Sequence, residues 1–202
     1  MPRPRARLDH AAIARAFAPD GLHGARAADL ARSAGVAKPT LYAHGQSKDA
    51  LFLACVQAEV ERLIAELSDA ELTTREMLAP QRVSALIRAV LAHADAHPAG
   101  ARLLHLTARH ASSTVAEDVD AALARIPARV ADALRHDLAH DTTGQLASAV
   151  ATALVGAAGA LAIARDLDAS WSAQLIGDAF AAVLAAAGPS ETDEHVTVVG
   201  LY

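Results

Sequence analysis

Residues 27–45 read AADLARSAGVAKPTLYAHG, and this stretch decides how the chain begins. Leu30 and Ala31 fall on the inward side of a short helix from Ala27 to Ala34. Gly35 then permits a sharp turn, because a residue without Cβ takes positive φ at little cost. Val36 is apolar and placed to plug the gap between two helices. A further helix reads Lys38 to His44, with Pro39 tolerated in its first turn and Gly45 positioned to end it. Helix, glycine turn, helix is the helix-turn-helix arrangement, in which one helix braces the other in the DNA major groove. The second helix presents Lys38, Thr40, Tyr42 and His44, each able to donate to a phosphate or a base edge.

The flanks agree with this reading. Upstream, Ile13 and Phe17 lie four apart on one helix face, and Pro19-Asp20-Gly21 stops that helix, leaving Leu22 in a loop. Downstream, Ser47 is a suitable N-cap for the next helix and Asp49 sits in its first turn. Charge is divided along the chain. The formal net charge is −5, yet residues 1–50 hold eight Lys/Arg to four Asp/Glu, a net of +4. The remainder holds ten to nineteen, a net of −9, and both lysines, Lys38 and Lys48, lie in the first part. A basic head on an acidic body suits a molecule whose head meets phosphate.

The run Ala34 to His44, followed by Ser47-Lys48-Asp49-Ala50-Leu51, resembles the signature of the tetracycline-repressor (TetR) family over about Leu8 to Phe52. The resemblance implies roles residue by residue. Lys38, Pro39 and Thr40 open the recognition helix at bases and nearby phosphates. Tyr42 and His44 offer donors to phosphates, and Lys48 anchors another. Val36, Leu30 and Leu41 are core. Three departures stand out. Ala25-Arg26 replaces the usual hydroxyl residue before the first helix of the motif, so Arg26 would substitute a charge contact. Ala37 replaces a capping serine, a loss of about 1 kcal/mol. Gly45 replaces an aromatic anchor.

The rest of the chain is rich in alanine and leucine, with aromatics at only 3%, which favours helix over strand. Helices are expected at Ala50–Leu67 (with Glu59, Glu61 and Glu66 on its exposed side), Arg82–His97, Arg102–Ala111, Val115–His140 (kinked or divided at Pro127), Leu146–Asp166 and Ser170–Ala187. Pro98-Ala-Gly100 should break the second from the third. The fold class is therefore all-α: a flexible basic arm at 1–7, a three-helix DNA-binding head at 8–50, a ligand-binding and dimerisation body of about six helices at 51–188, and a tail at 189–202. The last two helices are apolar over much of their circumference, and a pair at a chain end has too few neighbours to cover them. Self-association through about 146–187, as a four-helix bundle between two copies, resolves this and matches where the resemblance places the dimer.

Residues 146–164 carry no charge and approach a bilayer's span, but are mostly small residues, so a packed helix is expected rather than a membrane segment. His105 and Arg109 share a helix face and are candidates for polar contacts to a small-molecule effector. His93/His97 and His136/His140 each have i, i+4 spacing, but neither pair carries the glutamate of the H-E-x-x-H motif, and no metal is expected. Cys55 is the single cysteine, which excludes an internal disulfide and suits the cytoplasm. No catalytic constellation stands out, so neither an enzyme nor a cofactor is expected. The expectation is a dimeric repressor that binds a palindromic double-stranded operator and is released by a ligand. A DNA-binding regulator without an effector and, more remotely, a helical histidine metalloprotein are the alternatives.

Overall fold

Asp9 opens the first helix by accepting the backbone N–H of Ala12 at 3.1 Å, which satisfies one of the donors a helix start leaves bare. The computed structural model describes residues 8–42, 47–108, 114–135, 143–164 and 169–186. Its helices are α1 (His10–Phe17), α2 (Gly21–Gly24), α3 (Ala27–Ser33), α4 (Lys38–Tyr42), α5 (Lys48–Thr74), α6 (Ala79–Ala96), α7 (Pro98–Arg102), α8 (Ala116–Leu134), α9 (Gln145–Ala164) and α10 (Ala169–Ala186). A π-helical turn, Leu103–Thr107, continues α7. No strand occurs among the described residues, as the alanine-rich composition requires. The arm at 1–7 and the tail at 189–202 lie outside the described residues.

The head closes around large side chains. Ile13, Phe17, Leu30, Leu41, Leu51 and Phe52 are fully buried, and the Phe17 and Phe52 rings meet edge to face with centroids 5.1 Å apart. The turn between α3 and α4 rests on Gly35 at φ +65°. Its N–H bonds the carbonyl of Arg32 at 3.1 Å, and that of Val36 bonds Ala31 at 3.0 Å. This double closure is the Schellman motif, and it requires the left-handed residue that glycine supplies. One expectation fails here. Leu22 does not lie in a loop: Gly21 turns the chain at φ +68° directly into α2, and Leu22 is buried within that single helical turn. The head therefore has a fourth, very short helix. Burial of one leucine outweighs the poor helix propensity of Gly-Leu-His-Gly.

Ser47 caps α5 by accepting Ala50 N–H at 3.1 Å. This helix runs 27 residues without a break where the head was expected to end, so head and body share it. Within the body, α5 packs on α6 and α8, α9 lies across α8 and α6, and α10 rests on α6. Arg125 pairs with Glu61 at 2.7 Å, and Arg129 pairs with Glu71 and donates to Ser68 at 3.0 Å, tying α8 to α5. Glu61 faces solvent as expected, but Glu59 and Glu66 do not. Glu59 is 2% exposed and Glu66 is half-buried, because the face of α5 that carries them meets α6.

Other boundaries shift for local reasons. The helix does break before Pro98, as expected, with α6 ending at Ala96 and His97 out of helical conformation, but Pro98 then starts α7, where its missing N–H costs nothing. Pro127 sits inside a continuous α8 and neither ends nor divides it. The stretch 136–142 lies outside the described residues. On α9 the buried positions are small: Ala147, Ala151, Ala158, Gly159 and Ala162. Its length and composition would suffice to cross a membrane, but that alanine face is packed on α8 and α6. Leu146 on α9 and Leu175 on α10 remain exposed, at 37% and 51%.

Candidate functional site

The helix-turn-helix sorts its side chains cleanly. Leu30, Ala31 and Leu41 point into the core, while Arg26, Lys38, Pro39 and Thr40 are exposed. Tyr42 is half-buried and packs against the core. Arg32 is exposed too, but its guanidinium is paired with Asp29 at 2.8 Å. The cations left facing outward from α3 and α4 are thus Arg26, at the start of one, and Lys38, at the start of the other. His44 and Gly45 lie outside the described residues.

Lys48 makes contacts within the head that its spacing did not disclose. Its ammonium donates to the carbonyls of His23 and Ala25 at 3.4 and 3.3 Å. These carbonyls close α2, so Lys48 compensates the negative end of that helix. Helix capping also differs within the head. Asp9 and Ser47 cap α1 and α5 with side-chain oxygens, whereas Arg26 makes no such bond to α3 and Ala37 has no acceptor to offer α4.

Head and body touch away from the shared helix. Arg102 Nε donates to the carbonyl of Ala18, at the end of α1, at 2.9 Å. Thr114 Oγ1 donates to Asp49 Oδ2 at 3.3 Å. A shift of the π-helical turn beside Arg102 would therefore be felt by α1.

That same turn borders a cleft of about 370 Å³ shared with α8 and α9, lined by Leu104, His105, Leu123, Pro127, Thr152 and Gly156 among others. Two irregular backbones meet here. A π-helical turn lengthens the hydrogen-bonding ring, and Pro127 brings no N–H to the carbonyl of Leu123 four residues earlier. His105 lies against Gly159, where a Cβ would come within 2.4 Å of the ring, so this glycine makes room for the imidazole. Arg109, the other candidate effector contact, lies outside the described residues. Beyond Val155, which borders both, a wholly aliphatic seam runs between α6, α8 and α9 past Val83, Val90, Val130 and Leu154. Cys55 is buried and donates to the carbonyl of His10 at 3.5 Å. Burial pushes its thiol up to about 12, which removes the thiolate that redox sensing would need.

Comparison with known proteins bears on both halves. Residues 11–55 match the model for bacterial regulatory proteins of the tetR family. The HTH-type transcriptional activator FasR of Mycolicibacterium smegmatis is 34% identical over 93 residues, 46% of this chain and 42% of that protein. The chain thus matches less than half the length of that relative. A TetR-like transcriptional regulator from Rhodococcus sp. RHA1 superposes with a TM-score of 0.66 at 26% identity, covering 87% of this chain and 93% of the other. FadR from Bacillus subtilis, solved in complex with stearoyl-CoA, superposes with a TM-score of 0.69 at 14% identity over 84% and 94%. Residues 11–55, built on the Gly35 turn, thus form a tetR-family DNA-binding head, and the helical frame of the described residues is that of TetR-like transcriptional regulators.

Proposed function

We propose that the protein is a homodimer that binds a palindromic operator through α3 and α4 and leaves it when a small molecule occupies the body. The observation that carries the DNA half is the sorting of α3 and α4, with leucines inward and Arg26, Lys38 and Thr40 outward. A twofold dimer places two such helices in successive major grooves, about one helical turn apart. The exposed outer faces of α9 and α10, Leu146 and Leu175 included, supply the surface that a second copy covers. The effector site is the cleft beside His105; the aliphatic seam next to it is nearly closed, at about 10 Å³, and must part to extend the site. Its walls suit a ligand with a long aliphatic chain, the class to which the stearoyl-CoA on the Bacillus subtilis protein belongs. Release is a population shift: the ligand must prefer a head spacing that DNA does not.

Binding of the full-length protein to a selected operator, measured against salt, tests the DNA half. Arg26→Ala and Lys38→Ala should each lower the slope of log affinity on log salt by about one. Thr40→Ala should change the preferred sequence, and Tyr42→Phe should weaken all sequences alike. Unchanged slopes in both cation variants would refute the assigned contacts. A series of acyl-CoA chain lengths, read by thermal shift and by operator release, tests the effector half. The activator named FasR favours a second reading, in which the same DNA contacts raise transcription. A reporter carrying the operator separates the two by the sign of the change on removing the protein.

A further inference from the structure

Glu59 and Glu66 lie seven residues apart on α5, two turns along one face, and His93 and His97 lie four apart on α6. Packing of α5 against α6 brings the four together. Glu66, His93 and His97 can each offer one ligand atom, all within 4.8 Å of one another. Glu66 Oε2 is 2.9 Å from His93 Nδ1, and Glu66 Oε1 is 3.7 Å from His97 Nε2. The first ring is 1% exposed. The second is 37% exposed, so the cluster opens to solvent on one side. Two imidazoles and a carboxylate with one open position is a donor set that zinc-class ions favour.

A second observation concerns the far side of His93. Its Nε2 is buried and makes no hydrogen bond, although Glu59 Oε2 lies 3.8 Å away. With its proton on Nδ1, toward Glu66, the ring turns a lone pair toward a carboxylate. A metal on Nδ1 moves the proton to Nε2, where Glu59 can accept it, the carboxylate–histidine–metal arrangement that orients many ligating rings. Glu59 is built for that place. Arg62 Nη1 holds both of its oxygens at 2.7 Å. Gly100 packs so tightly on its carboxylate that a Cβ there would come within 2.4 Å.

We propose that Glu66, His93 and His97 bind one divalent cation of the zinc class, joining α5 to α6, with Glu59 as the positioning acceptor for His93 Nε2–H. Contraction of the three donors to the roughly 3.4 Å spacing of a tetrahedral zinc shell needs only side-chain movement. The site stands apart from the helix-turn-helix and from the cleft beside His105, so it does not rest on the DNA or effector readings.

The test uses the full chain, stripped with chelator and titrated with zinc by calorimetry, with bound metal counted after dialysis. The expected result is one zinc per chain and a raised melting temperature. Glu66→Gln, nearly isosteric, and His97→Ala, at a half-exposed position, should each abolish stoichiometric binding while the metal-free melt stays cooperative. Glu59→Gln should retain the metal with about 10- to 100-fold weaker affinity. Replacing both His136 and His140 by alanine should change nothing, which excludes the other histidine pair. Failure to retain zinc at micromolar concentration, or full retention by His97→Ala and Glu66→Gln, would overturn the proposal.

Discussion

In the head, the buried positions are filled by Ile13, Phe17, Leu30, Leu41, Leu51 and Phe52. In α9 they are filled by Ala147, Ala151, Ala158, Gly159 and Ala162. Both regions are helical and both are buried on one side, yet they hold together differently. Large side chains bury much apolar area per residue and interlock, so four short helices and the start of α5 can form a fixed unit. Small residues let helix axes approach closely but contribute little area each. A helix packed on alanine keeps apolar surface on its other side, which the exposed Leu146 marks on α9, and Leu175 is exposed likewise on α10. The head encloses its large apolar side chains, whereas the end of the body leaves some of its own exposed.

Phe17→Ala breaks this contrast most strongly. It removes the ring that meets Phe52 edge to face at a position with no exposure. The expected cost is about 3–5 kcal/mol, enough to unfold α1 from α5 and abolish operator binding. Chemical denaturation and a DNA-binding assay on the same sample check it. In α9, Ala151→Gly should cost only about 1 kcal/mol, nearly all from helix propensity.

Leu175→Arg probes the other side of the comparison. If a second copy covers α10, a guanidinium there would weaken the dimer on the order of 100-fold, seen as a monomer by sedimentation at micromolar concentration. The thermal transition of the head should not move. A dimer of unchanged affinity would place the interface elsewhere. Gly177→Val acts one step further in. A Cβ at Gly177 would lie 2.1 Å from Ser84 Oγ and 2.9 Å from the carbonyl oxygen of Pro80. The hydroxyl can rotate away, but the backbone carbonyl cannot. Overpacking of about 1–3 kcal/mol should follow, measured as a lower denaturation midpoint with α10 displaced from α6.

The two regions also differ in how far the sequence discloses them. The turn at Gly35 is a short-range device, with Leu30, Ala31, Val36 and Leu41 all within a dozen residues, so periodicity and one glycine suffice to read it. Helix α2 escaped because four residues carry no period; only the burial of Leu22 in the folded head explains it. The spans of α9 and α10 were legible from composition, but composition does not say which face a neighbour covers. The same limit hid Glu59 and Glu66. Their spacing puts them on one face of α5, and whether that face meets water or α6 is decided by tertiary packing. His93 and His97 were visible as a pair, but the carboxylates that give the pair its chemistry come from another helix. Lys48 was visible as a cation at the family's position, while its bonds to His23 and Ala25 depend on the unforeseen α2.

The smallest effect sharpens the comparison inside the head itself. The two framing helices, α1 and α5, are capped by Asp9 and Ser47, whereas α3 and α4 start without a side-chain acceptor. Ala37→Ser supplies one where α4 begins, and the Leu41 N–H to Ala37 carbonyl bond at 3.0 Å shows that Ala37 already holds the N-cap position. The gain should be about 1 kcal/mol, read as a higher midpoint of the head's transition. Ala37 is exposed, so no core packing is disturbed. If the missing cap keeps α4 loose enough to adapt to DNA, the serine variant should bind its best operator as tightly as before and tolerate fewer base changes in it. A stabilised head with unaltered tolerance would assign the absent cap to stability alone.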